Sequence, residues 1–131
     1  MDIKEFGEKF IKAQKEAWKE GKFDALEALE SPDVIYHLHP FGDMTGWEGH
    51  KQYIQSNSQA ATDIQQDWKY LVGEGNLFAI SYKSKATAAV DMPTMNVAKG
   101  KKVASDYLFV LQVKKNRITE AWLNGTLTVS D

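Results

Sequence analysis

Three histidines, His37, His39 and His50, are the side chains of this sequence best suited to proton transfer near neutral pH. Two of them, His37 and His39, fall on one face of a predicted strand over residues 33–39, which Pro40 should end because proline donates no ladder hydrogen bond. A neutral imidazole, with an ordinary pKa of about 6.5, can act as a general base. We therefore predict that His39 is a catalytic base pointing into a cavity, with His37 nearby. The cavity should be lined by Tyr53, Tyr107, Phe109 and Leu123.

Proton removal next to a carbonyl also requires a group that stabilises the enolate oxygen. The phenol of Tyr107 is the best donor that the sequence offers, because Tyr107 should share its strand face with Ser105 and Phe109. Gln14 is a weaker candidate. In the alternative interpretation, His39 hydrogen-bonds a backbone group or lines a binding pocket without reacting.

The spacing of His37 and His39 also resembles half of a metal site, since side chains two residues apart on a strand point the same way. His50 is the only other histidine, and no spacing singles out an aspartate or glutamate as a third ligand. We therefore predict neither a metal nor another cofactor. His50 itself is expected to be a satisfied core histidine rather than a pocket residue.

Hydrophobic periodicity predicts helices first and strands afterwards. Helices are expected over residues 3–20, 23–30 and 46–62, and strands over 33–39, 64–73, 76–90, 101–114 and 117–128. Glycine and asparagine at 73–76 and the residues 114–116 indicate hairpin turns. This order predicts a single α+β domain over residues 1–131, with three N-terminal helices packed on one face of a curved, mostly antiparallel sheet.

Four local motifs resemble the SnoaL-like polyketide cyclases and ketosteroid isomerases of the nuclear transport factor 2-like superfamily. They are His39-Pro40-Phe41-Gly42, the segment Gly46-Trp47-Glu48-Gly49-His50-Lys51-Gln52-Tyr53, Met92-Pro93-Thr94, and Asn116-Arg117-Ile118-Thr119-Glu120-Ala121-Trp122. The resemblance covers nearly the whole chain. It implies a cone-shaped fold with a pocket between the helices and the concave sheet face, where Tyr53 and Phe109 should line the wall. In the ketosteroid isomerases the base stands immediately before the proline of the first strand, and that position is His39 here. It also implies a homodimer that pairs through the outer sheet face, which carries Leu108, Val110 and Trp122.

The sequence departs from these relatives where their known reactions are carried out. The cyclase carboxylate of the last strand falls at Leu123, the polar residue of the preceding strand at Phe109, and the isomerase tyrosine of the first helix at Gln14. Two functions therefore remain. One is a cofactor-independent cyclase, isomerase or dehydratase acting on a hydrophobic carbonyl compound. The other is a non-catalytic module for ligand binding or dimerisation.

Composition narrows the possible binding partners of the protein and its location. The formal net charge is −2 and Arg117 is the single arginine, which disfavours nucleic acid as a partner. There is no cysteine for disulfides, and no apolar stretch approaches the length of a membrane span. Residues 1–6 lack the apolar stretch of a signal peptide. We expect a cytoplasmic protein whose partner is a small hydrophobic molecule.

Overall fold

The computed structural model describes residues 2–131, apart from the side chain of Thr94. Its helices are α1 (Ile3–Glu20), α2 (Asp24–Leu29) and α3 (Trp47–Ala60), with a short 3-10 turn at Pro93–Met95. Its strands are β1 (Glu30–Leu38), β2 (Gly42–Thr45), β3 (Ala61–Glu74), β4 (Leu77–Ala88), β5 (Lys102–Lys114) and β6 (Arg117–Ser130).

The first helix is amphipathic and capped at both ends. The Asp2 carboxylate accepts hydrogen bonds from the backbone N–H groups of Lys4 and Glu5, at 3.0 and 3.3 Å. Gly21 ends the helix with φ of 65°, a left-handed conformation that glycine adopts without steric cost. The buried stripe, which includes Phe6 and Phe10, packs on β3 and β4. Burial of this stripe fixes α1 over the edge of the sheet formed by β3 and β4.

The six strands form one curved sheet in the order β2-β1-β6-β5-β4-β3. Neighbours are antiparallel except β1 and β6, which run parallel, with Tyr36 opposite Ala121 and Leu38 opposite Leu123. The register shifts within β3–β4 and β5–β6, irregularities that bend a sheet. The concave face holds the core, and the three helices cover part of it.

The predicted fold class and the predicted hairpins are confirmed. Two local features differ. β1 begins at Glu30, because the short helix ends at Leu29 and Ser31-Pro32 is already extended. The edge strand β2 was not predicted, since its Gly42 and Asp43 are poor strand formers and it is largely exposed. None of the described helices is long and apolar enough to cross a membrane.

Candidate active site

A cavity of about 120 Å³ lies between helices α1 and α3 and the concave face of the sheet. An apolar cavity of roughly 150 Å³ in another protein is known to hold a benzene-sized molecule. Most of the wall is apolar, and it includes Leu38, Phe109 and Leu123. The space therefore suits a body of about one ring, with a few polar groups available to orient it.

His50, from the first turns of α3, is the imidazole in the cavity wall. It is buried, and its Nδ1 lies 3.0 and 2.8 Å from the two carboxylate oxygens of Glu30. The Tyr36 ring packs against the imidazole with a centroid distance of 4.2 Å. These contacts fix both the position and the rotation of the His50 ring.

Glu30, the first residue of β1, is a carboxylate with a fully buried side chain. Besides His50, its side chain contacts the hydroxyl of Tyr36, which donates a hydrogen bond of 2.9 Å to Oε2. Burial raises the pKa of Tyr36 well above its ordinary value, and the charge of Glu30 and this hydrogen bond raise it further. The backbone carbonyl of Glu30 accepts a 2.9 Å hydrogen bond from Nη1 of Arg117. Glu30 is thus held from both its side chain and its backbone.

The second ring nitrogen of His50, Nε2, forms no hydrogen bond with a described residue and is not one of the fully buried polar atoms that lack a partner. Because His50 lines the cavity, we infer that Nε2 is directed toward it. A carboxylate at Nδ1 favours the tautomer with the proton on Nδ1, which leaves the lone pair of Nε2 directed at a ligand.

Three phenols contribute to the cavity wall from different elements. Tyr53 belongs to α3, whereas Tyr82 of β4 and Tyr107 of β5 are cross-strand partners. Burial raises the pKa of Tyr53, and the neighbouring Tyr82 and Tyr107 raise it further. Burial also raises the pKa of Tyr82 and of Tyr107. All three phenols consequently stay protonated at neutral pH and can donate hydrogen bonds.

Two amides complete the polar wall on the helix side. Gln14 of α1 is almost completely buried, and its Oε1 has no partner among the described residues. Asn57 of α3 donates a 2.8 Å hydrogen bond from Nδ2 to the backbone carbonyl of Tyr53. Both residues line the cavity, so a ligand would meet amide groups beside the phenol of Tyr53.

Five of the seven site residues predicted from the sequence come together in this wall. They are Gln14, Tyr53, Tyr107, Phe109 and Leu123. Tyr107 and Phe109 are buried on the concave face of β5, and Leu123 lies opposite Phe109 on β6. The alternation of these strands was therefore assigned to the correct faces.

The predicted positions of His39 and His37 are wrong. His39 is exposed and does not line the cavity; its backbone N–H donates a 3.0 Å hydrogen bond to the carbonyl of Leu123. The concave face of β1 is formed by the alternate set Val34, Tyr36 and Leu38, which is buried because it is apolar. The assignment of His39 as the base followed the resemblance against this pattern, and it loses its geometric basis.

His37 lies on the convex face, between two carboxylates. Its Nδ1 is 3.0 Å from Oδ1 of Asp43, and its Nε2 is 2.6 Å from Oε2 of Glu120. The ring stacks on Trp122 with a centroid distance of 5.8 Å. The hydrogen bonds to Glu120 and Asp43 raise the pKa of His37. Its arrangement is that of a charged imidazolium within a surface cluster, not that of a base facing a cavity.

Sequence reasoning missed the contact between Glu30 and His50. Glu30 was placed in a predicted helix, and His50 was expected to be a core residue without chemical function. The apolar set Val34, Tyr36 and Leu38 was the available signal, because it identifies the concave face of β1. No local pattern connects Glu30 with His50, which come together only through packing of α3 on β1.

The SnoaL-like polyketide cyclase family model matches residues 8–124, and the chain belongs to this family. No curated protein matches the chain. The fold agrees with solved structures of low identity.

A SnoaL-like polyketide cyclase from Agrobacterium tumefaciens is 15% identical with a TM-score of 0.72, over 92% of this chain and 91% of that one. A second similar structure is that of SalBIII, an epoxide hydrolase/cyclase-like enzyme in pyran ring formation in the polyether salinomycin. It is 15% identical with a TM-score of 0.72, and the match covers 95% of this chain and 93% of SalBIII. An NTF2-like protein of unknown function from Exiguobacterium is 15% identical with a TM-score of 0.70, and the match covers 92% of this chain and 98% of that one.

Proposed function

We propose that the protein is a cofactor-independent enzyme of the cyclase, isomerase or dehydratase type that moves a proton on a small hydrophobic carbonyl compound. The observation that carries this proposal is the placement of His50, which lines the cavity and whose Nδ1 is held by the buried carboxylate of Glu30. An imidazole oriented by a buried carboxylate is a common acid–base arrangement in enzymes. The cyclase names within the family support the same reaction class.

In the proposed reaction, Nε2 of His50 takes the proton from the carbon next to the carbonyl. The electron pair moves into the carbonyl and forms an enolate, whose oxygen accepts hydrogen bonds from the protonated phenols of Tyr53 and Tyr107. The His50 imidazolium then returns the proton. Return to the γ carbon of a β,γ-unsaturated ketone gives isomerisation, and transfer to the departing hydroxyl of a β-hydroxy ketone gives dehydration. Attack of the enolate on a second carbonyl of the same ligand, with the proton delivered to the new alkoxide, gives cyclisation.

The second candidate is a binding module that holds the same kind of ligand without reaction. It is favoured by the absence of carboxylates at Phe109 and Leu123, the positions at which the resemblance places polar catalytic groups. Both candidates require an occupied cavity, and they differ in whether Nε2 of His50 removes a proton.

Exchange of carbon-bound protons with solvent tests the proposal before the natural substrate is known. Acetophenone is a suitable probe, because it has one ring and exchangeable protons next to its carbonyl. In D2O, the wild-type protein should accelerate deuteration of the methyl group, followed by proton NMR. The His50→Gln variant should lose at least roughly a hundredfold of that rate, as expected when a general base is removed.

His39→Gln is the matched control, since it makes the same change at an exposed histidine outside the cavity. It should exchange acetophenone at the wild-type rate, and circular dichroism should show that both variants fold. Binding of acetophenone without any exchange above the buffer rate would contradict catalysis and favour the binding module. Equal losses in the two variants would contradict the role of His50.

A further inference from the structure

The sheet side of the cavity carries a polar network that the proposed proton transfer does not use. Nε2 of Gln66 donates a 2.9 Å hydrogen bond to the phenolic oxygen of Tyr82. Nε1 of Trp68 donates to Oε1 of Gln66 at 3.4 Å, which orients the amide with its N–H groups toward Tyr82. Since the Tyr82 oxygen is already an acceptor, its own O–H proton remains available to a ligand.

Two serines extend this network along the wall. Ser84 and Ser105 are cross-strand partners on β4 and β5, both line the cavity, and Gln66 is the partner of Ser84 on β3. Ser84 follows Tyr82 by two residues, so the two side chains lie on the same face of β4. Hydroxyl groups on neighbouring strands, about 4.8 Å apart across the sheet, can bind one ligand oxygen together.

The network lies across the sheet from His50. His50 packs on Tyr36 of β1, and β4 is the third strand from β1 across the sheet, which corresponds to about 14 Å measured along a flat sheet. The curvature of the sheet shortens that span. Between His50 and the serines the wall carries Phe109 and Leu123, and also Tyr107, the cross-strand partner of Tyr82. Ser84 and Ser105 lie two residues beyond Tyr82 and Tyr107 along their strands, roughly 7 Å away, so a ligand whose carbonyl oxygen is held by Tyr107 can present a second oxygen to them.

We propose that Tyr82, Ser84 and Ser105 form a second oxygen-binding subsite, which takes a hydroxyl or second carbonyl of the ligand beyond the carbonyl oxygen that Tyr107 holds. The ligand class is a compact cyclic or aromatic ketone with a second oxygen across the ring, such as a hydroxyaryl ketone. This inference rests on the proposed function for the position of the first carbonyl. It adds the reason why the ligand is held in one orientation.

Calorimetric titration with two matched probes, acetophenone and 4′-hydroxyacetophenone, tests the subsite in the full chain. The wild-type protein should bind the hydroxylated probe about tenfold more tightly, a difference typical of one good hydrogen bond to a buried group. Tyr82→Phe and Ser84→Ala should each reduce this preference while leaving the affinity for acetophenone nearly unchanged. The double variant should bind the two probes within about twofold of each other.

Ser81→Ala is the matched control, because Ser81 lies in the same strand with its side chain on the opposite face from Tyr82. It should keep the wild-type preference, and so should His50→Gln. Equal affinities in the wild type, a preference that survives in the double variant, or a preference lost in His50→Gln alone would overturn the subsite. A failure to bind either probe would overturn it as well.

The two proposals fail separately. A preference for the hydroxylated probe without proton exchange would retain the subsite and remove the proposed catalysis. Proton exchange without a preference for the hydroxylated probe would retain the proposed catalysis and remove the subsite.

Discussion

The carboxylate of Glu30 and the imidazole of His50 form a buried contact, with Nδ1 of His50 3.0 and 2.8 Å from the two oxygens. The pair joins the start of β1 to the first turns of α3, across 20 positions of sequence. Because Tyr36 donates to the same carboxylate, the acceptor side of the pair is fixed in place. The side of His50 that remains available is the one that faces the cavity.

Glu30→Gln should reduce proton exchange on acetophenone by roughly a hundredfold or more, an effect comparable with loss of the base. The reason is the tautomer: an amide N–H can donate to Nδ1, and His50 then carries its proton on Nε2, where the lone pair is needed. The exchange rate should fall more than the affinity for acetophenone, because Glu30 acts through His50. Proton NMR of exchange and calorimetry of binding give the two quantities.

Glu30→Asp keeps the carboxylate on a shorter side chain and should recover part of the exchange rate. Glu27→Gln makes the same change as Glu30→Gln at an exposed helical position and should have no effect on exchange. If Glu30→Gln exchanges acetophenone at the wild-type rate, Glu30 does not position His50.

Gly125→Ala should destabilise the protein by about 1–3 kcal/mol, the range typical of overpacking. A Cβ at this position would meet the Cα and Cγ of Tyr107 at 2.7 and 2.8 Å, as well as the backbone carbonyl of Asp106. Urea unfolding measures the loss. Gly49→Ala is the control, since a Cβ there has nothing within 4 Å and alanine is the better helix former, so the free energy of unfolding should stay equal or rise. A neutral Gly125→Ala would show that β5 and β6 separate easily at Tyr107.

The cluster of His37, Glu120 and Asp43 should make stability depend on pH. The hydrogen bonds to Glu120 and Asp43 raise the pKa of His37 in the folded state above the ordinary value of about 6.5. Their contribution is therefore fully present below that ordinary value and is lost as pH rises through the raised pKa. The His37 ring protons should titrate above pH 6.5 by NMR, and Glu120→Gln should lower the midpoint. Glu74→Gln, the same change at an exposed position, should leave the titration midpoint of His37 unchanged. A midpoint at or below pH 6.5 in the wild type would contradict the effect of the cluster.

We propose that the chain forms a homodimer through the convex sheet face. Leu108 and Trp122 are 46% and 40% exposed, and Val110 lies opposite Trp122 in the sheet, so apolar side chains are grouped there. Sedimentation should show a species of twice 14.8 kDa for the wild type, and Leu108→Lys should shift it to the monomer because a charge would enter the interface. Thr126→Lys, at an exposed position farther along β6, should remain a dimer. A wild type that sediments only at 14.8 kDa at micromolar concentration would contradict the proposal.

Local patterns were sufficient to predict every helix and strand of the fold except β2 and the short 3-10 turn. The spacing of Phe6 and Phe10 identified α1, and the alternation of Tyr107 and Phe109 identified the inner face of β5. Both patterns are set by neighbours a few positions away, where the periods of helix and strand act directly. The weak edge strand β2 carries no such pattern, because its four residues are mostly exposed.

The acid–base site could not be predicted in the same way. Alternation divides β1 into two sets of side chains, and the apolar set was the signal for the inward face, although the histidine set was predicted there. Tyr36 and Leu38 are large and apolar, so their set is buried and His37 faces outward. The pairing of Glu30 with His50 depends on where α3 crosses β1, and that crossing is a property of the packed molecule rather than of either segment.

The parallel pairing of β1 with β6 also affects the order of events while the protein is being made. Tyr36 and Leu38 leave the ribosome early, but their neighbours Ala121 and Leu123 are among the later residues to be translated. A growing chain can pair β3 with β4 and then β5 as each hairpin emerges, since those contacts are local. The edge of β1 that pairs with β6 stays open until β6 is synthesised, and Leu123 of the cavity wall is still missing, so a nascent chain stalled before residue 117 should expose apolar surface to chaperones and have no closed cavity.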